Sequence, residues 1–175
     1  MKKVLFISYA SANLDKVQLI EKELARDFLF DPLIVANKRE PNKELKNKVI
    51  EGIESSFCVI PILTRASIKT QWINQEIGYA FAKEKRVIPI VQKTILDDLK
   101  GFIHKQNDIP YAFQTKRGMS KGDENKAFMR CFRLLIKDLT SEQNMGKDLS
   151  IGVEIVDNVP RITFTGLELK KPLGL

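Results

Sequence analysis

The sequence predicts an α/β fold in which a parallel sheet carries helices on both faces. Short apolar runs alternate with segments in which apolar residues recur every three or four positions, the pattern of strands alternating with helices. The apolar runs are nearly continuous, as expected for strands that are covered on both faces. A chain of 175 residues, 43% hydrophobic and 29% charged, is long enough for one packed domain with a small appendage.

Five segments are predicted to be the strands of this sheet. In chain order they are Val4–Tyr9, Leu33–Ala36, Phe57–Leu63, Arg86–Val91 and Ile109–Phe113. Pro32 stands at the start of the second strand, a position that tolerates the missing N–H group. Because parallel sheets bind ligands beyond the carboxyl ends of their strands, segments 9–13, 36–42 and 64–72 are expected to surround one crevice.

Helices are predicted between the strands wherever apolar residues recur on one face. Asn13 is expected to cap the first helix, and Ser67, or alternatively Thr70, the helix after the third strand. A shorter helix is expected over residues 94–103. The apolar positions that mark the four longer helices are Val17, Ile20 and Leu24; Leu45, Val49 and Ile53; Ile73, Ile77, Ala80 and Phe81; and Phe128, Phe132, Leu135 and Leu139.

The C-terminal residues follow a different pattern. A polar linker is expected over 140–148, and the segments Ile151–Val156 and Pro160–Thr165 flank a short turn, which predicts a β-hairpin. The predicted division is a domain over 1–139 and a linker with a C-terminal β-hairpin extension over 140–175. The extension is expected to pack on the domain or on a second subunit.

Composition narrows the classes of partner. The net charge of +7 favours anionic partners, but the basic residues of 116–138 are interpreted as a solvated helix face, so no nucleic acid is predicted. No segment is apolar and long enough to cross a bilayer, and the short apolar N-terminal run predicts a strand of a cytoplasmic protein. Cys58 and Cys131 lie among apolar residues and His104 is the single histidine, so buried thiols without a metal or cofactor are expected.

Several common catalytic motifs are missing. The first glycine is Gly52, so the turn after the first strand is not a dinucleotide-binding glycine loop. A phosphoacceptor receiver would need acidic residues after the first and third strands, where Tyr9 and Thr64 begin polar turns without acids. No nucleophile-elbow motif is present. Hydride, acyl-transfer and metal chemistry are therefore poorly supported.

Trp72 and Glu76 are the most informative pair. Their spacing of four places them on the same helix face, one turn apart, and Trp72 is the only tryptophan. An aromatic plate beside a carboxylate suits a flat cationic ring and its attached sugar. In NAD the nicotinamide leaves as a neutral ring, so one carboxylate that stabilises an oxocarbenium-like transition state is sufficient. Glu76 is the candidate catalytic residue and Trp72 the candidate stacking partner.

Three further residues are weaker candidates. Tyr79, three positions after Glu76, is expected to steady it by a hydrogen bond, and Lys38 and Arg39 could reach a pyrophosphate. Each has a simpler interpretation. Tyr79 would then only pack, and the two basic residues would belong to a solvated loop.

These residues also resemble those of a Toll/interleukin-1 receptor (TIR) domain of the bacterial type. The matching pieces are Val4–Tyr9, the stretch 45–63, and Ser67–Ile77 with Trp72 and Glu76, and the likeness runs from about Lys3 to Asp138. The resemblance implies a flavodoxin-like fold with five parallel strands. The sequence departs from the family pattern at Asn13, where an acid is common, and in segment 37–42, which is basic and free of glycine here.

The resemblance also carries functional expectations. Many bacterial members cleave NAD to nicotinamide and either ADP-ribose or a cyclic isomer, with a glutamate that matches Glu76 and an aromatic that matches Trp72. The loop after the first strand is expected to line the pocket, with Ser8, Tyr9, Ala10 and Ser11 as substrate-binding residues. Segment 37–42 would be a mobile lid and an assembly contact. The expected partners are NAD, further copies of the chain through TIR–TIR contacts, and a partner protein of a bacterial defence or signalling system.

Two other functions stay open at this point. A scaffold without activity would need Arg39 and Pro41 but neither Trp72 nor Glu76. An enzyme similar to nucleoside deoxyribosyltransferases, which share the sheet and a glycosyl-transferring glutamate, would act on deoxynucleosides and not on NAD.

Overall fold

A five-stranded parallel sheet forms the centre of the protein. The computed structural model describes residues 1–35, 43–99, 111–145, 150–156 and 159–165. The strands are β1 (Lys3–Ser8), β2 (Phe30–Leu33), β3 (Cys58–Leu63), β4 (Ile90–Gln92) and β5 (Tyr111–Phe113), and their order across the sheet is β2-β1-β3-β4-β5. All four neighbouring pairs are parallel, which confirms the predicted α/β fold with its flavodoxin-like arrangement of strands.

Helices connect these strands as the apolar spacing predicts. A one-turn 3₁₀ helix at Ser11–Asn13 leads into α1 (Leu14–Leu24), and α2 (Lys43–Ser55) follows β2. Helix α3 (Gln71–Ala82) follows β3, a short 3₁₀ helix (Lys93–Asp98) follows β4, and α4 (Lys121–Met145) follows β5. The apolar positions predicted for the four longer helices are all buried except Phe81, which is half-buried.

Strand β2 lies three residues earlier than predicted. The carboxylate of Asp27 accepts hydrogen bonds from the backbone N–H groups of Leu29 and Phe30, at 2.7 and 2.8 Å, and so turns the chain into the sheet before Leu33. Pro32 therefore lies inside the strand, opposite Leu5. It is tolerated because β2 is at the edge of the sheet, where alternate N–H groups of the strand point away from its single neighbour.

Strand β4 is shorter than its apolar run. Val87 forms an isolated bridge with Val59, and regular pairing resumes only at Ile90. Pro89 lies between these positions and has no N–H group to donate to the ladder. The segment predicted as a helix over 94–103 is a 3₁₀ helix that ends at Asp98, and residues 100–110 lie outside the described part of the chain.

The contacts divide the chain into two units, Met1–Leu134 and Leu135–Leu175. Helix α4 continues to Met145, into the stretch predicted to be a linker, and the hydroxyls of Thr140 and Ser141 donate to carbonyls one turn earlier. In the second unit, β6 (Ser150–Val156) and β7 (Val159–Thr165) pair antiparallel. The role of this extension and the domain boundary at residue 139 stay predictions.

Packing on the sheet brings two pairs of helices together. Helices α2 and α3 share a cluster made of Phe6, Val49, Ile53, Val59, Ala80 and Val87. Helices α1 and α4 are joined by ion pairs from Lys16, which is buried, to Glu124 at 2.7 Å and from Arg133 to Glu23 at 2.6 Å.

Both cysteines are buried free thiols, as predicted, and burial raises the pKa of Cys131 to about 11. Among the described helices, none has the length and apolar character needed to span a membrane.

Candidate active site

Glu76 is a buried carboxylate on the inner side of α3. Ile73, Ile77 and Ala80 turn one face of the helix into the core and carry Glu76 with it, so that only 5% of the residue is exposed. The hydroxyl of Ser8, the last residue of β1, donates a hydrogen bond to Oε2 of Glu76. The side chain therefore lies at the carboxyl edge of the sheet, where a parallel fold binds its ligands.

Trp72 lies one turn before Glu76 on α3. Its indole N–H group is the only polar group of the side chain, and it lowers the pKa of the Glu76 carboxyl. The ring is half-buried and packs against the cluster that α2 and α3 share. The aromatic ring and the acid therefore lie on one helix, one turn apart, and their roles in binding and catalysis stay predictions.

Burial changes the acidity of Glu76. Removal of the carboxyl from water disfavours its charged form and raises its pKa to about 7, while the hydrogen bonds from Ser8 and Trp72 oppose this rise. A group with this pKa exists in both protonation states near neutral pH. Such a perturbed acid at a ligand-binding edge has the character of a functional residue.

The end of β1 and the start of the loop after it are more buried than expected for residues that line a substrate pocket. Ser8, Tyr9 and Ala10 are each at most 6% exposed, whereas Ser11 and the following Ala12 are exposed. Ala10 packs with Ile73 and Ile77 of α3. The inner part of this loop therefore supports the helix that carries Glu76, and the substrate-binding role expected for these residues stays a prediction.

Tyr79 does not contact Glu76, so the hydrogen bond predicted between them is wrong. Its hydroxyl donates to Oε1 of Glu54 on α2 at 2.7 Å, and Lys83 forms an ion pair with the same carboxylate at 2.7 Å. The reason is the direction of the side chains. Glu76 is directed to Ser8 at the sheet edge, whereas Tyr79 leans against α2.

Neither predicted cap makes a capping hydrogen bond. Asn13 precedes α1 but its side chain makes no cap contact, and α3 begins after Thr70, the alternative start, which also makes none. Asn13 and Ser67 instead belong to a buried polar network with Thr64. Sequence analysis missed this network, although polar residues directly after the apolar runs of β1 and β3 are the signal that could have indicated it.

The remaining candidates are not among the residues that the structure describes. Lys38 and Arg39, with the rest of segment 36–42, are outside the described residues. A cavity of about 700 Å³ opens beside β3 and the 3₁₀ helix after β4, and Glu76 and Trp72 are not among its lining residues. No group of three or more His, Cys, Asp or Glu side chains in the described ranges is arranged to hold a metal ion.

Comparison with known proteins gives a consistent family and fold. The sequence matches the TIR domain family over residues 5–130. The fold is similar to that of the TIR domains in the structure of the activated Roq1 resistosome directly recognizing the pathogen effector XopQ, with a TM-score of 0.53, 13% identity, and coverage of 79% of this chain and 99% of that one. A conserved protein from Enterococcus faecalis V583 is more distant, with a TM-score of 0.42, 15% identity, and coverage of 74% and 99%. No curated protein matches the sequence.

Proposed function

The chain belongs to the TIR domain family, and on that premise we propose that it is an enzyme that cleaves NAD, with Glu76 as the catalytic carboxylate. The observation that carries the proposal is the site itself. One buried acid with a pKa of about 7 is hydrogen-bonded to a serine at the ligand edge of the sheet, one helical turn after the only tryptophan. A structural role would be served better by an apolar residue at this position, because removing an acid from water costs stability.

The reaction needs little from the protein beyond electrostatic stabilisation. The bond between the ribose carbon and the nicotinamide nitrogen breaks, and its electron pair neutralises the ring nitrogen. The ribose carbon then carries the developing positive charge, which an ionised Glu76 would stabilise. In hydrolysis the oxygen of water bonds to that carbon and one proton is released. In cyclisation a nitrogen of the adenine ring is the nucleophile instead.

Substrate binding would itself ionise Glu76. The nicotinamide ring of NAD is cationic, and an opposite charge within a few ångströms lowers the pKa of a carboxyl. The indole of Trp72 supplies a face for this ring. A carboxylate accepts up to about four hydrogen bonds, so the ribose hydroxyls can bind Glu76 while Ser8 keeps its own. Near neutral pH the acid would thus be partly protonated in the empty site and ionised once the substrate is bound.

The proposal includes assembly and biological setting. We place the enzyme in the bacterial cytoplasm, in a defence or signalling system, with cleavage dependent on contacts between copies. Two arguments support self-assembly. Glu76 has little free surface of its own, and the TIR domains of Roq1 are described as parts of a resistosome. Segment 37–42 is the proposed assembly contact and lid, and Lys38 and Arg39 within it are proposed to bind the pyrophosphate.

The test compares the wild-type protein with Glu76→Gln at high protein concentration. NAD is the substrate, and the products are separated by chromatography. We expect nicotinamide release by the wild type and a loss of at least about 100-fold in the variant, the size of effect seen when one transition-state contact is removed. Glu54→Gln is the matched control, because this glutamate lies on the neighbouring helix and bonds Tyr79 and Lys83.

The second product peak identifies the nucleophile as water or the adenine ring. Equal release by wild type and Glu76→Gln would contradict the assignment of the catalytic residue. Cleavage of deoxynucleosides without cleavage of NAD would identify a deoxyribosyltransferase-like enzyme. No activity at all, even under crowding, would favour a scaffold.

A further inference from the structure

Three buried polar side chains connect the loop after β1 with the turn after β3. Asn13, Thr64 and Ser67 are 2, 4 and 0% exposed, and we call them the loop network. The hydroxyl of Thr64 donates to Oδ1 of Asn13 at 3.1 Å and lies 3.2 Å from Oγ of Ser67. These side chains come from two segments about 50 residues apart in sequence, so the network is a tertiary feature and not part of one turn.

The contacts of Asn13 fix the direction of the hydrogen bond between Asn13 and Thr64. The amide Nδ2 of Asn13 faces the carbonyl of Ile62 at 3.4 Å, and a carbonyl can only accept. Oδ1 of Asn13 therefore faces Thr64, which must donate its single hydroxyl proton. Oγ of Ser67 accepts the backbone N–H of Thr64 at 2.8 Å and directs its own proton to Thr64 or to the carbonyl of Ile62, 3.2 Å away. Each member is satisfied, so the arrangement is specific as well as buried.

The two segments that the network joins are the ones that hold the candidate site. Asn13 closes the turn after Ser8, since its backbone N–H donates to the carbonyl of Ala10 at 2.8 Å. Ser67 and Thr64 close the turn that leads into α3, which carries Glu76. Ser8 thus lies five residues before Asn13, and Glu76 lies nine residues after Ser67, in the second turn of the helix that follows it.

We propose that the loop network holds these two segments in register, so that Asn13, Thr64 and Ser67 are positioning residues for the Ser8–Glu76 pair. Apolar residues of the same shape could be nearly as stable at these positions, because a satisfied buried hydrogen bond contributes only about 1 kcal/mol. Hydrogen bonds also fix the direction in which two segments meet, and apolar side chains cannot supply such directional contacts. Without the network, the loop after β1 would separate from α3 and admit water to Glu76.

The test uses Trp72 as a spectroscopic probe. Trp72 is the only tryptophan and its indole N–H influences the pKa of Glu76 one turn away, so its emission is expected to report the ionisation of that carboxyl without any assay of activity. We expect a wild-type transition near pH 7 that is absent in Glu76→Gln. Thr64→Val keeps the branched shape and removes the hydroxyl. Since burial is the largest cause of the raised pKa, we expect its midpoint to fall by at least about half a pH unit toward the ordinary value.

Thr64→Ser keeps the hydroxyl and is expected to keep the wild-type midpoint. Thr70→Val is the matched control. Thr70 directly precedes α3, and its hydroxyl makes no capping hydrogen bond. Should Thr64→Val fail to fold, Ser67→Ala removes a single oxygen and is measured in its place. All midpoints are taken where near-ultraviolet dichroism shows a native fold. A midpoint equal to that of the wild type in the folded Thr64→Val or Ser67→Ala protein would overturn the proposal and leave the network a role in stability alone.

The catalytic consequence rests on the proposed function, whereas the fluorescence measurement does not. If NAD is cleaved, the Thr64→Val variant is expected to lose at least about tenfold in kcat, because small displacements of a catalytic group are costly. If NAD is not cleaved, the shift of the Trp72 transition still decides whether the network positions Glu76.

Discussion

The hydroxyl of Ser8 donates a hydrogen bond to the carboxylate of Glu76 and joins the end of β1 to the middle of α3 across 68 residues of sequence. The bond opposes the effect of burial on the acid, because it favours the charged form of Glu76. Ser8 thus has two physical roles, since it satisfies a buried carboxyl and keeps its pKa from rising further. The predictions below follow from this pair and from the packing around it.

The pH dependence of NAD cleavage is expected to follow the ionisation of Glu76. The free protein has the raised pKa, so kcat/KM should increase with pH and level off above about 7. In the bound state the cationic nicotinamide lowers the pKa, so kcat should level off at a lower pH than kcat/KM. Initial rates measured from pH 5 to 9 separate the two profiles. Coincident midpoints would contradict ionisation of Glu76 by substrate.

Ser8→Ala is expected to move the midpoint of kcat/KM upward. The variant loses a hydrogen bond that lowers the pKa of Glu76 and keeps the burial that raises it. A hydrogen bond to a charged group contributes about 1.5 kcal/mol, which corresponds to about one pH unit. Ser11→Ala, on the exposed part of the loop after β1, is the control and should keep the wild-type midpoint. A midpoint that stays or falls in Ser8→Ala would mean that the loop opens instead.

The raised pKa of Glu76 also makes a prediction about stability. Between pH 4.5 and about 7 the unfolded chain loses this proton while the folded protein keeps it, so the unfolded state binds fewer protons and stability falls as pH rises. Glu76→Gln removes this fall in stability with rising pH, because glutamine does not titrate. Its free energy of unfolding relative to wild type should therefore increase by about 3 kcal/mol between pH 4.5 and pH 8, as measured by urea denaturation.

Glu54→Gln is the contrasting variant in this experiment. The hydrogen bonds from Lys83 and Tyr79 lower the pKa of Glu54, so its contribution to stability is present above the ordinary value and is lost at lower pH. The difference between Glu54→Gln and wild type is expected to have the opposite sign with rising pH. A Glu76→Gln difference that does not change with pH would mean that Glu76 is not buried in solution.

The sequence predicts the sheet and the longer helices because their signals are local. Apolar spacing identifies Val17, Ile20 and Leu24 on α1 without knowledge of the sheet, and the same holds for Phe128 and Phe132 on α4. Spacing also places Trp72 beside Glu76, since both belong to one helix. Spacing cannot predict that Glu76 is buried, because its burial depends on the contact between the end of β1 and α3.

The incorrect predictions arise because other hydrogen-bond partners compete for the side chains. Asn13 has the residue type and position of a cap, but its side chain bonds Ile62 and Thr64, about 50 residues away. Ser67 bonds Thr64 and Ile62 in the turn before α3 instead of capping the helix. Tyr79 has the spacing to reach Glu76, but its hydroxyl donates to the carboxylate of Glu54 on another helix. A position after an apolar run indicates that a polar side chain lies near the sheet edge, but it does not indicate which partner that side chain will bond.

The packing of α2 against the sheet gives a final prediction on two glycines. A Cβ atom at Gly52 would lie 2.9 Å from Cδ2 of Leu33 and 3.0 Å from Cε2 of Phe6, which is itself fully buried. A Cβ atom at Gly78 on α3 would meet nothing within 4 Å. Overpacking costs about 1–3 kcal/mol, whereas alanine is more favourable than glycine in a helix by about 0.5–1 kcal/mol.

Gly52→Ala is therefore expected to lower the free energy of unfolding by about 1–2 kcal/mol, and Gly78→Ala to raise it by about 0.5–1 kcal/mol. Thermal and urea denaturation of the two variants measure both values. Because Phe6 and Trp72 belong to the same packed face, Gly52→Ala is also expected to shift the emission of Trp72, and Gly78→Ala is not. Equal stabilities of the two variants would mean that α2 does not approach the sheet as closely as these distances require.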